Sequence, residues 1–224
     1  MKFAEEMLRL YAVTDRSWVG RQSLYEQVES ALRGGATCVQ LREKELGWDA
    51  FYEEAKELKA LCARYGVPMI INDNVELALE VGADGVHVGQ EDMDARDVRR
   101  LIGDDKILGV TAKTVEQAQR AQQAGADYLG SGAVFGSATK PNAKPMTQEL
   151  LQSICGSVSI PVAVIGGIHR GNVPLLAGTG IRGIAVVSGI FAAADIEGEC
   201  HLLRAEVAKI VKNACWTAQQ CDKW

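Results

Sequence analysis

Eight short apolar runs recur along this 224-residue chain, each followed by a longer stretch with helical periodicity or by a helical turn. That alternation constrains the fold more than any other feature, because it is the pattern of parallel strands linked by crossover helices. The runs at 8–14, 37–44, 68–73, 85–89, 106–112, 128–134, 161–167 and 183–189 read as strands. Between them, 49–65 repeats Phe51, Ala55, Leu58, Leu61 and Cys62 at helical spacing, and 23–33, 94–102, 114–124, 147–155 and 198–212 look alike. A weak internal repeat reinforces the count. GGAT (34–37), VGADG (81–85), AGADY (124–128) and AGTG (177–180) each place glycine after a helix and just before an even-numbered strand, where a left-handed helix terminator belongs. No GxGxxG follows the first strand, which disfavours an open doubly wound sheet. The pattern predicts a single (β/α)8 TIM barrel over residues 1–212. Residues 213–224 lack periodicity and read as a poorly ordered extension without a role.

Composition narrows the partners. Twenty-nine acidic against 24 basic side chains leave a formal charge of −5, which argues against nucleic acid while allowing a local anion pocket. The acids of MKFAEEMLRL occupy the place of a signal peptide's basic region, and no run approaches the length of a membrane span, so a cytoplasmic protein is expected. Cys38, Cys62, Cys155, Cys200, Cys215 and Cys221 form no CxxC pair and fit free thiols in a reducing compartment.

In such a barrel, chemistry sits at the C-terminal strand ends. Strand 2 ends QLREK, and alternation puts Gln40, Arg42 and Lys44 on one side and Leu41 on the other. Three polar groups facing the mouth cost desolvation unless a ligand satisfies them, and Arg42 with Lys44 suits phosphate oxygens. The plainer alternative is a solvated strand end paired with Glu43 and Glu45. Asp73 after strand 3 and Asp92 after strand 4 suit Mg²⁺ beside phosphate, although each alone also suits a loop or helix cap. Asn72 is placed to bond a substrate edge or a phosphate. The segment 136–145 reads as a mobile lid in which Lys140 closes over an anion and Ser137 and Thr139 supply hydroxyls, or else as a polar connector. IGGI (165–168) and VVSG (186–189), the latter leading into a short helix, have the form of the phosphate site of this fold; tight glycine turns are the alternative. His87, His169 and His201 form no metal-like cluster, and His87 reads as a packed strand residue rather than a catalyst. One mouth with a diphosphate-and-metal half and a phosphate half points to joining two phosphorylated ligands with loss of pyrophosphate.

The motifs YAVTD, QLREK, IINDN, GVHVGQED, GVTAKT, the TKP of SATKP, IGGI and VVSG, in that order, resemble the thiamin phosphate synthase family across roughly residues 8–212. The resemblance implies a transferase of the thiamine pathway. It would couple hydroxymethylpyrimidine diphosphate to a thiazole phosphate with Mg²⁺, by a dissociative course in which pyrophosphate leaves before the thiazole nitrogen captures the cation. It places Gln40, Arg42, Lys44 and Asn72 on the pyrimidine diphosphate, with Leu41, Glu43, Thr111 and Lys140 completing that run. Asp73 and Asp92 would ligate Mg²⁺. Ser137, Ala138, Thr139, Gly167, Val187 and Ser188 would hold the thiazole phosphate, and Lys140, Arg42 and Thr111 would act in the chemistry. Thr111 stands where serine is usual, and the lid reads GSATK rather than PTxTK, so both keep hydroxyls while Gly136 loosens the lid. A thiazole tautomerase-like paralogue shares the barrel and GIAVVSGIF, but would carry histidine where this chain has Lys113. A catalytically silent phosphate-binding barrel is disfavoured by the intact charged residues. The partners implied are small molecules, with neither nucleic acid nor membrane, and a homo-oligomer is left open.

Overall fold

The computed structural model describes residues 2–20, 22–136 and 145–211. Eight parallel strands close into a barrel in chain order: β1 (Leu10–Val13), β2 (Cys38–Leu41), β3 (Met69–Asn72), β4 (Gly85–Val88), β5 (Ile107–Thr111), β6 (Tyr128–Gly132), β7 (Val162–Ile165) and β8 (Gly183–Val186), with β8 pairing back onto β1. Each lies inside one of the eight apolar runs. Helices α1 (Leu24–Arg33), α2 (Trp48–Arg64), α3 (Val75–Glu80), α4 (Ala95–Ile102), α5 (Val115–Gln123), α6 (Gln148–Ser157), α7 (Ser188–Phe191) and α8 (Ile196–Ile210) surround it. Periodicity missed α3, whose six residues span too few turns to show a stripe. Its start is set by Asn74, whose side chain accepts the Leu77 N–H at 2.9 Å. Between β7 and β8 the described helical element is a 3₁₀ turn, Val173–Leu176. No helix among the described residues is long and apolar enough to cross a membrane.

Strand alternation sorts the apolar runs into two layers. Tyr11, Val13, Cys38, Ile70, Ile107, Tyr128, Ala163 and Ala185 fill the barrel, closed below by Leu8 and by Phe3 stacked on Tyr128 at 5.9 Å. Leu10, Val39, Leu41, Met69, Ile71, Val86 and Leu108 point outward into the layer shared with the helices.

The glycine repeat has a structural meaning. Gly35, Gly82 and Gly125 take φ of 93°, 63° and 87°, turning the chain out of α1, α3 and α5. The residue that then opens each even strand ties down the preceding odd one. Thr37 Oγ1 accepts the Leu10 N–H at 2.9 Å, Asp84 Oδ2 the Met69 N–H at 2.8 Å, and Asp127 Oδ2 the Leu108 N–H at 2.7 Å.

Candidate functional site

A cavity opens at the C-terminal ends of the strands, lined from below by Tyr11, Gln40, His87 and Tyr128 and at its sides by Arg42, Asn72, Thr111, Gly167, Val187 and Ser188. Strand β2 is shorter than the apolar run implied. It stops at Leu41 because side chains take over as hydrogen-bond partners: Thr14 Oγ1 accepts the Arg42 N–H at 3.0 Å, and Glu43 Oε1 accepts those of Lys44, Glu45 and Leu46 at 2.7, 2.5 and 3.1 Å. Glu43 is buried, and its other oxygen takes Arg16 Nε at 2.5 Å. Burial alone would raise its pKa, but the N–H groups of Glu45, Leu46 and Lys44 and the Arg16 guanidinium outweigh that and hold it below the usual carboxylate range. Its side chain therefore shapes the loop and does not line the cavity. Leu41 is likewise fully buried in the outer layer, so only its backbone is available toward the mouth.

The loop so held aims two cations. Arg42 Nη1 meets Asp15 Oδ2 at 2.9 Å beside the cavity, and Asp15 is itself fixed by the Ser17 N–H at 3.0 Å. Lys44 Nζ reaches Asp73 Oδ2 at 2.5 Å. Asp73 sits at φ 62°, a left-handed conformation uncommon outside glycine, and its N–H bonds the His87 carbonyl at 2.8 Å. Asp92 accepts the Gly89 N–H at 2.7 Å, and its carboxyl lies within hydrogen-bonding reach of Asp73. Burial raises both carboxyls; for Asp73 the Lys44 ammonium reverses this, whereas Asp92, beside the charge of Asp73, stays raised. Two carboxylates this close, one resisting ionisation, are a donor pair that a divalent cation would relieve. Among the described residues they do not belong to any cage of three or more acidic, histidine or cysteine side chains, so such a cation would need oxygens from ligand and water.

Across the mouth, Gly166 and Gly167 at φ 106° and 64° make a turn closed to other residues, since a Cβ on Gly167 would press on the Phe135 backbone. Asn172 pins it, donating to the Gly167 carbonyl at 2.8 Å and accepting the His169 N–H at 2.9 Å. Ser188 opens α7 at the cavity wall, beside Val187.

A family model described as thiamine monophosphate synthase matches residues 10–190. The chain belongs to the thiamine monophosphate synthase family. Thiamine-phosphate synthase of Ruminiclostridium cellulolyticum is 52% identical over 87% of this chain and 92% of that protein, and its counterpart from Clostridium tetani is 47% identical over 87% and 93%. A thiamine phosphate pyrophosphorylase structure from Pyrococcus furiosus superposes with a TM-score of 0.85 at 37% identity, covering 93% of this chain and 99% of that one.

Set against this family, the structure gathers Gln40, Arg42, Asn72, Thr111, Gly167, Val187 and Ser188 around one cavity, with Lys44, Asp73 and Asp92 on the loops after β2, β3 and β4. Ser137, Ala138, Thr139 and Lys140 lie outside the described residues. Sequence reasoning gave no site role to Asp15, Tyr11, Lys113 and Tyr128, which line the cavity, or to Asn172, which pins the glycine turn, and assigned His87 only to packing. His87 does sit on a strand, but it also faces the cavity. The available signal was inward phase: Tyr11, Gln40, His87, Thr111 and Tyr128 all fall on inward positions where Val, Ile or Leu would otherwise be expected.

Proposed function

We propose that this chain makes thiamine phosphate by joining hydroxymethylpyrimidine diphosphate to a thiazole phosphate in this cavity, releasing pyrophosphate. The observation that carries the reading is the pairing of Arg42, Lys44, Asp73 and Asp92 on one side of the mouth with the Gly166–Gly167 turn and the start of α7 on the other. Arg42 and Lys44 bind diphosphate oxygens; Lys140, by resemblance, closes on the same group. Asp73 and Asp92 fit Mg²⁺, which when bound offsets the negative charge of the diphosphate as it departs. Asn72, Gln40 and Thr111 orient the pyrimidine. The backbone at Gly167, Val187 and Ser188, with Ser137, Ala138 and Thr139, holds the thiazole phosphate. The bond from the pyrimidine methylene carbon to the diphosphate oxygen breaks, its electron pair leaving with pyrophosphate. The thiazole nitrogen then supplies the pair for the new C–N bond. Dissociation first is the course this site favours, because its cations cluster around the leaving group and stabilise charge separation. The free thiols and the net charge of −5 accord with a cytoplasmic enzyme acting on small molecules, within residues 1–212.

The test is to mix purified protein with both substrates and Mg²⁺ and assay thiamine phosphate, with a chelator control. Product that disappears with EDTA is expected. Folded protein giving none would overturn the reading and favour a tautomerase-like or silent barrel.

A further inference from the structure

Four hydrogen bonds run in series across the barrel from β2 to β5. Gln40 Nε2 donates to Tyr11 Oη at 2.7 Å; Tyr11 Oη meets Tyr128 Oη at 2.8 Å; Tyr128 Oη meets His87 Nδ1 at 3.0 Å; and His87 Nε2 meets Thr111 Oγ1 at 2.9 Å. The sequence makes room for the chain. A Cβ at Gly109 would collide with the Tyr128 hydroxyl and His87 Nδ1, and one at Gly130 would lie 2.9 Å from His87 Cε1. One inward position on each of the neighbouring strands β5 and β6 is thus glycine where a barrel interior normally holds a branched side chain.

The direction of the chain follows from the donor inventory. An amide nitrogen only donates, so the Tyr11 oxygen accepts from Gln40. Burial pushes both phenols well above their usual pKa, so each keeps one proton to give. Tyr11 gives its proton toward Tyr128, and Tyr128 gives its own to His87 Nδ1. In the neutral imidazole that leaves the proton on Nε2, directed at Thr111 Oγ1. Among the described residues no acceptor takes the proton of Thr111 itself, and Thr111 lines the cavity.

We propose that Tyr128 and His87 are positioning residues that fix His87 as the Nε2–H tautomer and so present Thr111 to the substrate as a hydrogen-bond donor, while Gln40 keeps its carbonyl oxygen as acceptor. The site is then selective for a pyrimidine diphosphate that offers an acceptor atom to Thr111 and a donor to Gln40. This rests on the reading above only in taking Thr111 and Gln40 as pyrimidine contacts.

The first test needs no substrate. In protein carrying ¹⁵N-labelled histidine, long-range ¹H–¹⁵N spectra distinguish the nitrogens of the three histidines, and the His87 signals are identified by their loss in His87→Gln. Nδ1 is expected unprotonated and Nε2 protonated, with a shift toward mixed tautomers in Tyr128→Phe. A proton on Nδ1 in the unsubstituted protein, or no change in Tyr128→Phe, overturns the proposal. The second test is kinetic. Thr111→Val and His87→Ala should each lower kcat about tenfold or more, with KM for the thiazole phosphate unmoved and the double variant no worse than either single one. His87→Gln, which keeps a nitrogen donor at the reach of Nε2, should recover most of the loss. Additive losses, or no rescue, overturn the assignment. Absence of turnover in the unsubstituted protein would instead count against the reaction and leave the tautomer result to stand alone.

Discussion

At the scale of single residues, the carboxylate of Glu43 shows how a charged residue inside the QLREK run acts through structure. It gathers three successive N–H groups and the Arg16 guanidinium, and so fixes the loop that carries Arg42 and Lys44. Glu43→Ala leaves those donors unmet in a buried pocket and should lower stability by about 2–4 kcal/mol, measured by urea unfolding. The pH dependence follows from the depressed native pKa. The stabilisation is complete above the unfolded-state value and is lost as pH falls through the lower native value, so the gap between wild type and Glu43→Ala should narrow in acid. A gap independent of pH would contradict this assignment. Asp92 is the second residue to substitute. If Asp73 and Asp92 hold Mg²⁺ as proposed, removing one should lower Mg²⁺-dependent kcat/KM on the order of 100-fold, in steady-state assays across a Mg²⁺ titration. Retained Mg²⁺-dependent turnover in Asp92→Ala would exclude the metal assignment.

At the scale of elements, the corners decide where the strand ends point. Asp84 joins the start of β4 to β3 and pairs with Lys59 Nζ at 3.1 Å, far from the mouth. Asp84→Ala should therefore cost about 2–4 kcal/mol of stability while leaving kcat and both KM values near wild type at temperatures where the variant is folded. The opposite corner behaves differently. Gly167 has φ 64° and faces the Phe135 backbone, so Gly167→Ala forces the turn to move. Its expected signature is a raised KM for the thiazole phosphate, with the KM of the pyrimidine diphosphate little changed. A reversed pattern of KM values would place the two phosphate halves the other way round.

At the scale of the whole molecule, the closed ring makes opening a global event, since β1 is paired on both sides. Cys62 and Cys200 are buried, with thiols pushed up to about 12 by that burial, and Cys38 lies inside the barrel. Their reaction with a thiol reagent, mapped by peptide mass, should track global unfolding and slow when both substrates' binding halves are filled by pyrophosphate, Mg²⁺ and a thiazole phosphate. Rapid labelling of all three in the native protein would contradict the closed core. Strand number and the family were legible in the linear sequence, because a short apolar run and a glycine after a helix are local rules that each segment obeys independently. The sequence also singled out Arg42, Lys44, Asp73 and Asp92, and the fold brings all four to the loops after β2, β3 and β4. What the tertiary structure alone decided were the relations across strands distant in sequence: Glu43 paired with Arg16 to hold a loop, Asp15 set against Arg42, and His87 held between Tyr128 and Thr111 in space left by two glycines. Those depend on which side chains face one another once the barrel closes, and closure is a property of all eight strands together.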